Sequence, residues 1–357
     1  MGSIISAIGT AVPSQRFAQK DILNFMIDAH QLNTTEAVRL RKLYDVSGIA
    51  YRHSVLHDFG SSANEAVFFR KGSSPDTCQR GRLYEENAWK LSCIAIRNAF
   101  ETADIKPASI THLITVSCTG MYAPGLDIDL VENLGLSPSV ERTCINFMGC
   151  YGAFNALKTA DYICRARTDS RVLIADVELC TLHFQKENTL HNWVANSLFA
   201  DGAAAVLVEA ENGQKHGFRL KAFYNTLAAS LKNEMSWRIG NTGFEMYLSS
   251  RIAKSIKGKI IQVTDKLLEK AGAQDISHFA VHPGGRRILE VCEEALNMPE
   301  ESLRHSYTVL NNFGNMSSAT VLFVLQQLLE VCTPGENLAS FAFGPGLTFE
   351  SMVLETV

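Results

Sequence analysis

Short apolar runs alternate along this chain with segments of helical spacing, and that alternation narrows the possible folds more than any other feature. HLITVSC (112–118), RVLIADVE (171–178) and AAAVLVEA (203–210) are short and mostly apolar, so they read as buried strands. LSCIAIRNAFETADI (91–105) and YGAFNALKTADYICRA (151–166) place apolar residues at helical spacing. Strands buried on both faces and separated by helices predict an α/β protein, with a mainly parallel sheet covered by helices. The polar stretch 60–87 is expected to form loops and short helical pieces, and YTVL (307–310) a further strand ahead of a helix over SSATVLFVLQQLLE (317–330).

A faint internal echo suggests duplication. ETADIKPASITHLITVSCTG (101–120) is matched by EKAGAQDISHFAVHPGG (269–285): a helix end, a turn, then an apolar strand running to a polar tip. FADGAAAVLVEA (199–210) is matched by FAFGPGLTFESMVLE (341–355), each opening on Phe-Ala-x-Gly. Two similar α/β halves are therefore expected, residues 1–215 and 216–357, with chemistry where strand ends of the two halves meet.

Composition removes several function classes. The 357 residues include 33 Lys+Arg against 37 Asp+Glu, a formal net charge of -4, with no basic run. That is not the footprint of a nucleic-acid binder. No apolar run reaches the ~18 residues of a membrane span, and the first residues lack the charged and apolar regions of a signal peptide. A cytoplasmic protein is expected. Nine cysteines, an odd number with no C-x-x-C pair, predict neither a disulfide framework nor a structural zinc site.

Three residues stand out as chemistry. In INFMGCYGAF (145–154), Cys150 lies between an apolar strand and a helix. Unpaired backbone N–H groups at a helix start favour an anion, so the position is expected to lower the thiol pKa. Packing as a buried structural thiol is an equal alternative on position alone. His282, in FAVHPGGRR, is expected at a strand tip before a Gly-rich turn, and Asn315, in LNNFGNMSSAT, at a turn that feeds a helix. The two would be partners for a thiol nucleophile, although an Asn there is also an ordinary helix cap.

C-Y-G-A-F at 150, H-P-G-G at 282, N-x-x-G-N-M-S-S-A-T at 311 and F-G-P-G-L-T-F-E at 343 resemble the type III polyketide synthases, the chalcone-synthase-like members of the thiolase superfamily. W-R-I-G-N-T-G-F-E-M-Y-L-S (237–249) is similar to the bacterial branch. The resemblance implies a thiolase-like fold, two duplicated α/β halves packed as an αβαβα five-layer sandwich, in a homodimer. It implies Cys150 as nucleophile for an acyl-CoA starter. His282 and Asn315 would stabilise the enolate formed when malonyl-CoA loses CO2, with His282 also polarising the thiolate. Repeated condensation and cyclisation would give a pyrone, resorcinol or phloroglucinol-type product, with no cofactor and no metal.

The same resemblance places Phe199 and Phe244 where the CoA tunnel meets the cavity, and Cys118, Thr119, Cys180, Leu182, His183, Met235 and Ser317 along the cavity wall. Arg39 and Lys42 match two of three basic positions at the tunnel mouth; the third is Val46, and Arg286 and Arg287 are candidate substitutes. Cys180 and His183 stand where chalcone-forming enzymes carry threonines, and Met235 where they carry a small glycine, which argues against a chalcone product. Ala123 stands where plant enzymes place a methionine that reaches into the partner subunit. A ketoacyl-carrier-protein synthase III would also use Cys, His and Asn, but usually with H-Q-A-N in place of H-P-G-G. A thiolase would need a second cysteine where this chain has FGPGLTF.

Overall fold

A computed structural model describes residues 2–60, 62, 64–211, 216–273 and 275–357. Among them are thirteen strands: β1 (Ser3–Ala11), β2 (Gln15–Ala18), β3 (Tyr51–Ser54), β4 (His112–Ser117), β5 (Glu141–Asn146), β6 (Arg171–Leu179), β7 (Asp201–Ala210), β8 (Phe218–Leu227), β9 (Met235–Gly240), β10 (Gly243–Leu248), β11 (His278–Val281), β12 (Asn337–Gly344) and β13 (Thr348–Thr356). Nine form one mixed sheet in the order β11-β12-β13-β8-β1-β7-β6-β4-β5.

The duplication is visible in that order. β4 pairs parallel with β6, β6 antiparallel with β7, and β7 antiparallel with β1. β11, β12, β13 and β8 repeat the same senses. Two pairings, Ile4 with Arg219 and Ile5 with Phe218, join the sheets of the two halves into one. The echo at 101–120 and 269–285 falls on equivalent strands, β4 and β11. The second echo holds only in part: Phe341–Gly344 ends β12, and it is β13 beyond the turn that corresponds to β7. Residue 215, at the expected boundary, lies outside the described residues.

Side chains alternate across each strand, and both faces are covered. Leu113, Leu173, Ala175, Ala205 and Leu207 pack on the helix Thr77–Ala103. Their neighbours Ile114, Val172, Ile174, Ala204 and Val206 face the opposite way, onto the helices Gly152–Ala166 and Thr320–Leu329. Leu338, Ala342, Met352 and Leu354 close on the same two helices from the other half. Ala339, Phe341, Phe349 and Val353 cover the helices Ile260–Ala271 and Arg286–Leu296. The result is the five-layer α/β arrangement, with two helices buried at its centre.

Three expectations are corrected. The sheet is not mainly parallel: of its eight strand pairings three are parallel and five antiparallel, because β6–β7 and β12–β13, consecutive in the chain, pair antiparallel and β1 joins β7 and β8 in the same sense. Within the stretch 60–87, residues 77–87 are not loop and short pieces but the first turns of the helix Thr77–Ala103. Asp76 and Gln79 form its capping box, and its buried positions Arg80, Tyr84, Ala88 and Leu91 keep helical spacing. The period is hidden in sequence because its first two members are polar or amphipathic. YTVL is not a strand: it lies in the helix Arg304–Phe313, which buries Ser306, Val309 and Leu310. The β-branched pair Thr308–Val309 imitates a strand, and tertiary packing overrides it.

Phe154 is fully buried in the central layer. Phe154→Ala is expected to lower unfolding stability by about 3–5 kcal/mol, read from chemical denaturation, because both sheets hold the cavity open.

Candidate active site

The turn that carries Cys150 is built by close backbone approach. After β5, Phe147 and Gly149 take left-handed conformations (φ 62° and 82°), so the chain reverses before the helix Gly152–Ala166. A Cβ on Gly149 would lie 2.2 Å from Cδ of Pro345, and one on Gly344 2.5 Å from the Tyr151 ring. Glycine is thus required on both sides of the contact between Cys150 and the F-G-P-G-L turn. Cys118, beyond β4, braces the turn: the Gly149 N–H donates to its sulfur at 2.9 Å, and its S–H reaches the Gly149 carbonyl at 3.6 Å.

His282 follows β11 and Asn315 lies between two helices, where its backbone bridges Phe199. With Cys150 they line one cavity of about 1060 Å³. The Asn315 carboxamide is oriented from both ends: Oδ1 accepts the Ser317 N–H at 2.9 Å, and Nδ2 donates to the Gly284 carbonyl at 3.1 Å. One amide hydrogen is left over. Both ring nitrogens of His282 are buried without a hydrogen-bond partner among the described residues. An unpaired buried imidazole is costly, and a substrate oxygen would relieve that cost.

Charge is suppressed here. Burial pushes the Cys150 thiol up to about 12, aided by Glu178 and Asp176 and opposed by a Ser317 hydrogen bond. Burial lowers His282 to about 3. The expectation of a thiolate favoured by the helix end is therefore corrected: desolvation outweighs the helix end, and burial favours the neutral thiol and the neutral imidazole.

A second cavity of about 860 Å³ meets the first at Cys150, Phe199, Met235 and Met246. Phe199, Phe244, Cys118, Thr119, Cys180, His183, Met235 and Ser317 all line it. Leu182 does not: it is fully buried in the first core, and the neighbouring Thr181 faces the cavity instead. Burial pushes the thiols of Cys118 and Cys180 up, with Glu178 adding to the effect. His183 is more than lining. Its Nδ1 accepts the Phe244 N–H at 3.0 Å, Nε2 donates to the Thr119 carbonyl at 2.6 Å, and its ring stacks on Phe244 at 4.1 Å. It thereby holds Phe244 over the chamber. The buried Arg52 guanidinium donates to the Phe199 carbonyl at 2.7 Å and fixes the other phenylalanine.

At the mouth, Arg286 and Arg287 line the first cavity with Val46 and Ser249. Arg39 and Lys42 do not. They are exposed on the helix Thr34–Asp45, whose last turn gives the lining residue Leu43. Among the described residues, only His278, Cys332 and Glu336 bring donor atoms close enough for a metal ion, near the starts of β11 and β12 and apart from this site.

Sequence reasoning passed over an apolar arm of the second cavity, formed by Phe17, Ile22, Met26, Phe59 and Phe184. It also passed over Asp176 and Glu178, two acids at alternate positions of the otherwise apolar β6. The second omission had a signal: acids inside an apolar strand are rarely buried without a task.

Comparison with known proteins follows this geometry. Residues 2–212 match the N-terminal domain of chalcone and stilbene synthases, and residues 220–357 the C-terminal domain. The chain is 29% identical to the alpha-pyrone synthesis polyketide synthase-like Pks18 of Mycobacterium tuberculosis, over 99% of this chain and 91% of the relative. It is 30% identical to the 1,3,6,8-tetrahydroxynaphthalene synthase of Streptomyces peucetius subsp. caesius, over 99% and 93%. The crystal structure of the C-terminal type III polyketide synthase domain of Steely1 from Dictyostelium superposes with a TM-score of 0.94 at 28% identity, covering 100% of both chains.

His183 is lowered to about 3, chiefly by burial, so it is neutral when folded and takes a proton below about pH 6.5 when unfolded. Stability from this group is present above that value and lost as acid favours the unfolded chain. His183→Gln is expected to reduce the fall in unfolding free energy between pH 6.5 and 4 by up to about 1.4 kcal/mol per pH unit, measured by denaturant titration at each pH.

Proposed function

We propose that this chain, which belongs to the chalcone and stilbene synthase family and is a type III polyketide synthase, builds its product on Cys150 from an acyl-CoA starter and malonyl-CoA. The observation that carries this is the convergence of Cys150, His282 and Asn315 on one cavity wall, with the two donors free to bind an oxygen. Cys150 attacks the starter thioester and holds the acyl group. Malonyl-CoA then places its thioester oxygen at His282 and the remaining Asn315 N–H. Loss of CO2 develops negative charge on that oxygen, where two preorganised neutral donors act in a water-poor site. The enolate carbon attacks the acyl-Cys150 thioester, the lengthened chain returns to Cys150, and the cycle repeats.

The two cavities divide the labour. The larger opens past Arg286 and Arg287, which carry charge suited to coenzyme A phosphates and are held by Glu290 and Glu294. The smaller receives the growing chain. Its arm of Phe17, Ile22, Met26, Phe59 and Phe184 suits an aliphatic starter, and Met235 and His183 narrow the space for a bulky aromatic one. A pyrone, resorcinol or phloroglucinol-type product follows from cyclisation in that chamber. A homodimer is supported by β5, an exposed strand at the edge of the nine-stranded sheet; edges of this kind are commonly covered. No helix among the described residues is long and apolar enough to cross a membrane, which suits action in the cytoplasm.

Mass spectrometry with a series of acyl-CoA starters and malonyl-CoA tests the reading. Acylation of Cys150, CO2 release and products favouring aliphatic starters are expected; full condensation by Cys150→Ala would refute it. Asn315→Ala is expected to slow malonyl-CoA decarboxylation about 10²–10³-fold while leaving Cys150 acylation near the wild-type rate. In solution the protein is expected to scatter with twice the chain mass.

A further inference from the structure

Away from both cavities, three side chains of different chemistry meet at the start of β11. His278 opens that strand, Cys332 follows the helix Thr320–Leu329, and Glu336 precedes β12. The His278 Nε2, the Cys332 Sγ and a Glu336 carboxylate oxygen are donor atoms that all lie within 4.8 Å of one another. No other group of three such donors comes together among the described residues.

The backbone holds the three from separate elements. His278 pairs with Leu338 in the parallel ladder of β11 and β12. The Cys332 N–H donates to the Leu328 carbonyl at 2.9 Å, so the thiol sits just past the end of the central helix. Between Cys332 and Glu336 the chain reverses through Thr333, Pro334 and Gly335, with Gly335 at φ 91°. β13 anchors that turn: the Gly335 N–H donates to the Thr356 carbonyl at 2.7 Å, and the Glu336 carbonyl accepts the Thr356 N–H at 2.9 Å. The acid is aimed as well. Glu336 Oε2 accepts the Thr333 N–H at 2.7 Å and the His278 Nε2–H at 3.0 Å.

A thiol, an imidazole and a carboxylate together suit a borderline-soft divalent ion. Calcium and magnesium call for oxygen ligands, and an iron–sulfur cluster for further cysteines. Zinc bonds these atoms at about 2.0–2.3 Å, which sets ligand atoms roughly 3.5 Å apart. The set therefore needs to close by little more than about 1 Å. Exposure fits three protein ligands and one water. Cys332 is buried, while the side chains of His278 and Glu336 keep 25% and 32% of their surface, so sulfur holds the ion from inside and solvent reaches it from outside. We propose that His278, Cys332 and Glu336 form a zinc site with water at the fourth position.

Binding exchanges protons for the ion and oxidises nothing. Cys332 releases its proton to solvent and binds as thiolate. His278 binds through the Nε2 lone pair, and the ring carries its hydrogen on Nδ1. Glu336 keeps the Thr333 N–H and exchanges its contact with His278 for the metal.

Such an ion acts as a clip. β11 is the edge strand at the end of the sheet opposite β5, has four residues and pairs only with β12. A bridge from its first residue to the turn before β12 fastens the strand that leads to His282. The sequence reading looked for paired cysteines, whereas this set has one, and its histidine and acid stand 58 positions apart. The proposal goes beyond the polyketide reading and stands or falls independently of it.

The test uses the full chain, stripped with a chelator and titrated with Co²⁺ alone, followed by absorbance and then by Zn²⁺ competition. One equivalent of Co²⁺ is expected to give a thiolate-to-cobalt charge-transfer band with the visible bands of a four-coordinate ion, and Zn²⁺ to abolish both. Cys332→Ser is expected to remove the charge-transfer band. His278→Ala and Glu336→Gln are each expected to weaken cobalt binding by at least about 10–100-fold, the range for losing a group that merely supports a ligand. Cys150→Ala is expected to keep the band, which separates this site from the thiol in the cavity. Zn²⁺ is expected to raise the thermal midpoint of the wild type and not of Glu336→Gln. The site is overturned if no charge-transfer band forms, or if the band survives Cys332→Ser; His278 and Glu336 are then an ion pair beside a buried thiol. Should Cys332→Ser fail to fold, the partly exposed Glu336 decides, since undiminished cobalt affinity in Glu336→Gln also overturns the site.

Discussion

The contact between the nucleophile turn and the F-G-P-G-L turn is the point on which the site depends. Gly149 meets Pro345 and Gly344 meets Tyr151 at distances that leave no room for a Cβ. Each turn belongs to a different half, so the docking of the halves and the position of the sulfur are one geometric fact. The helix behind Cys150 is buried between both sheets and cannot tilt without opening the central core. Placement of this sulfur is thus over-determined by packing, which lets Phe147, Gly149 and Ser317 hold left-handed conformations around it.

Burial sets the chemistry as much as position does. A thiol pushed to about 12 and an imidazole lowered to about 3 form a site without net charge before substrate arrives. Neutral donors can then respond to charge that appears only during reaction, where low polarity makes each hydrogen bond count for more. The same burial makes the thiol a poor nucleophile unless its proton has somewhere to go. Ser317 is the side chain that contacts the sulfur, its hydroxyl donating to Cys150 Sγ at 3.8 Å.

Much of this was legible in the sequence. The fold class followed from apolar strands and spaced helices, since both faces of the sheet are covered and the periodicities are unmixed. That Cys150, His282 and Asn315 line one cavity agrees with their places beside glycine-containing turns in the sequence. What escaped depended on partners distant in sequence. Arg80 lies in the polar stretch expected to be loop, yet it is buried, and the carbonyls of Leu182 and Phe184, about a hundred residues away, receive its hydrogens. Leu182 was assigned to the cavity by the family resemblance, but a 3₁₀ turn over Cys180–His183 places it in the core and Thr181 on the cavity. Arg39 and Lys42 share a helix face, but spacing cannot say whether that face meets the cavity.

The polarity of the two cavities gives the site its direction. Charge at the outer mouth, from Arg286 and Arg287, can hold a polyanionic carrier in water, where desolvation costs little. The inner cavity carries Phe17, Ile22, Met26, Phe59 and Phe184 on its wall, which suits an apolar chain better than a charged carrier. Phe199 and Met235 stand where the two cavities meet, and both are held by backbone, Phe199 through Arg52 and Asn315. The boundary is therefore rigid where it selects by size. The inner wall instead draws residues from several elements, including the hairpin of β9 and β10 that carries Met235, Trp237 and Phe244. A change in any of these reshapes the space in which the chain folds and closes without moving Cys150, His282 or Asn315. Under the proposed function, the residues for chain building and most of those that shape the inner cavity come from different elements and meet at Cys150.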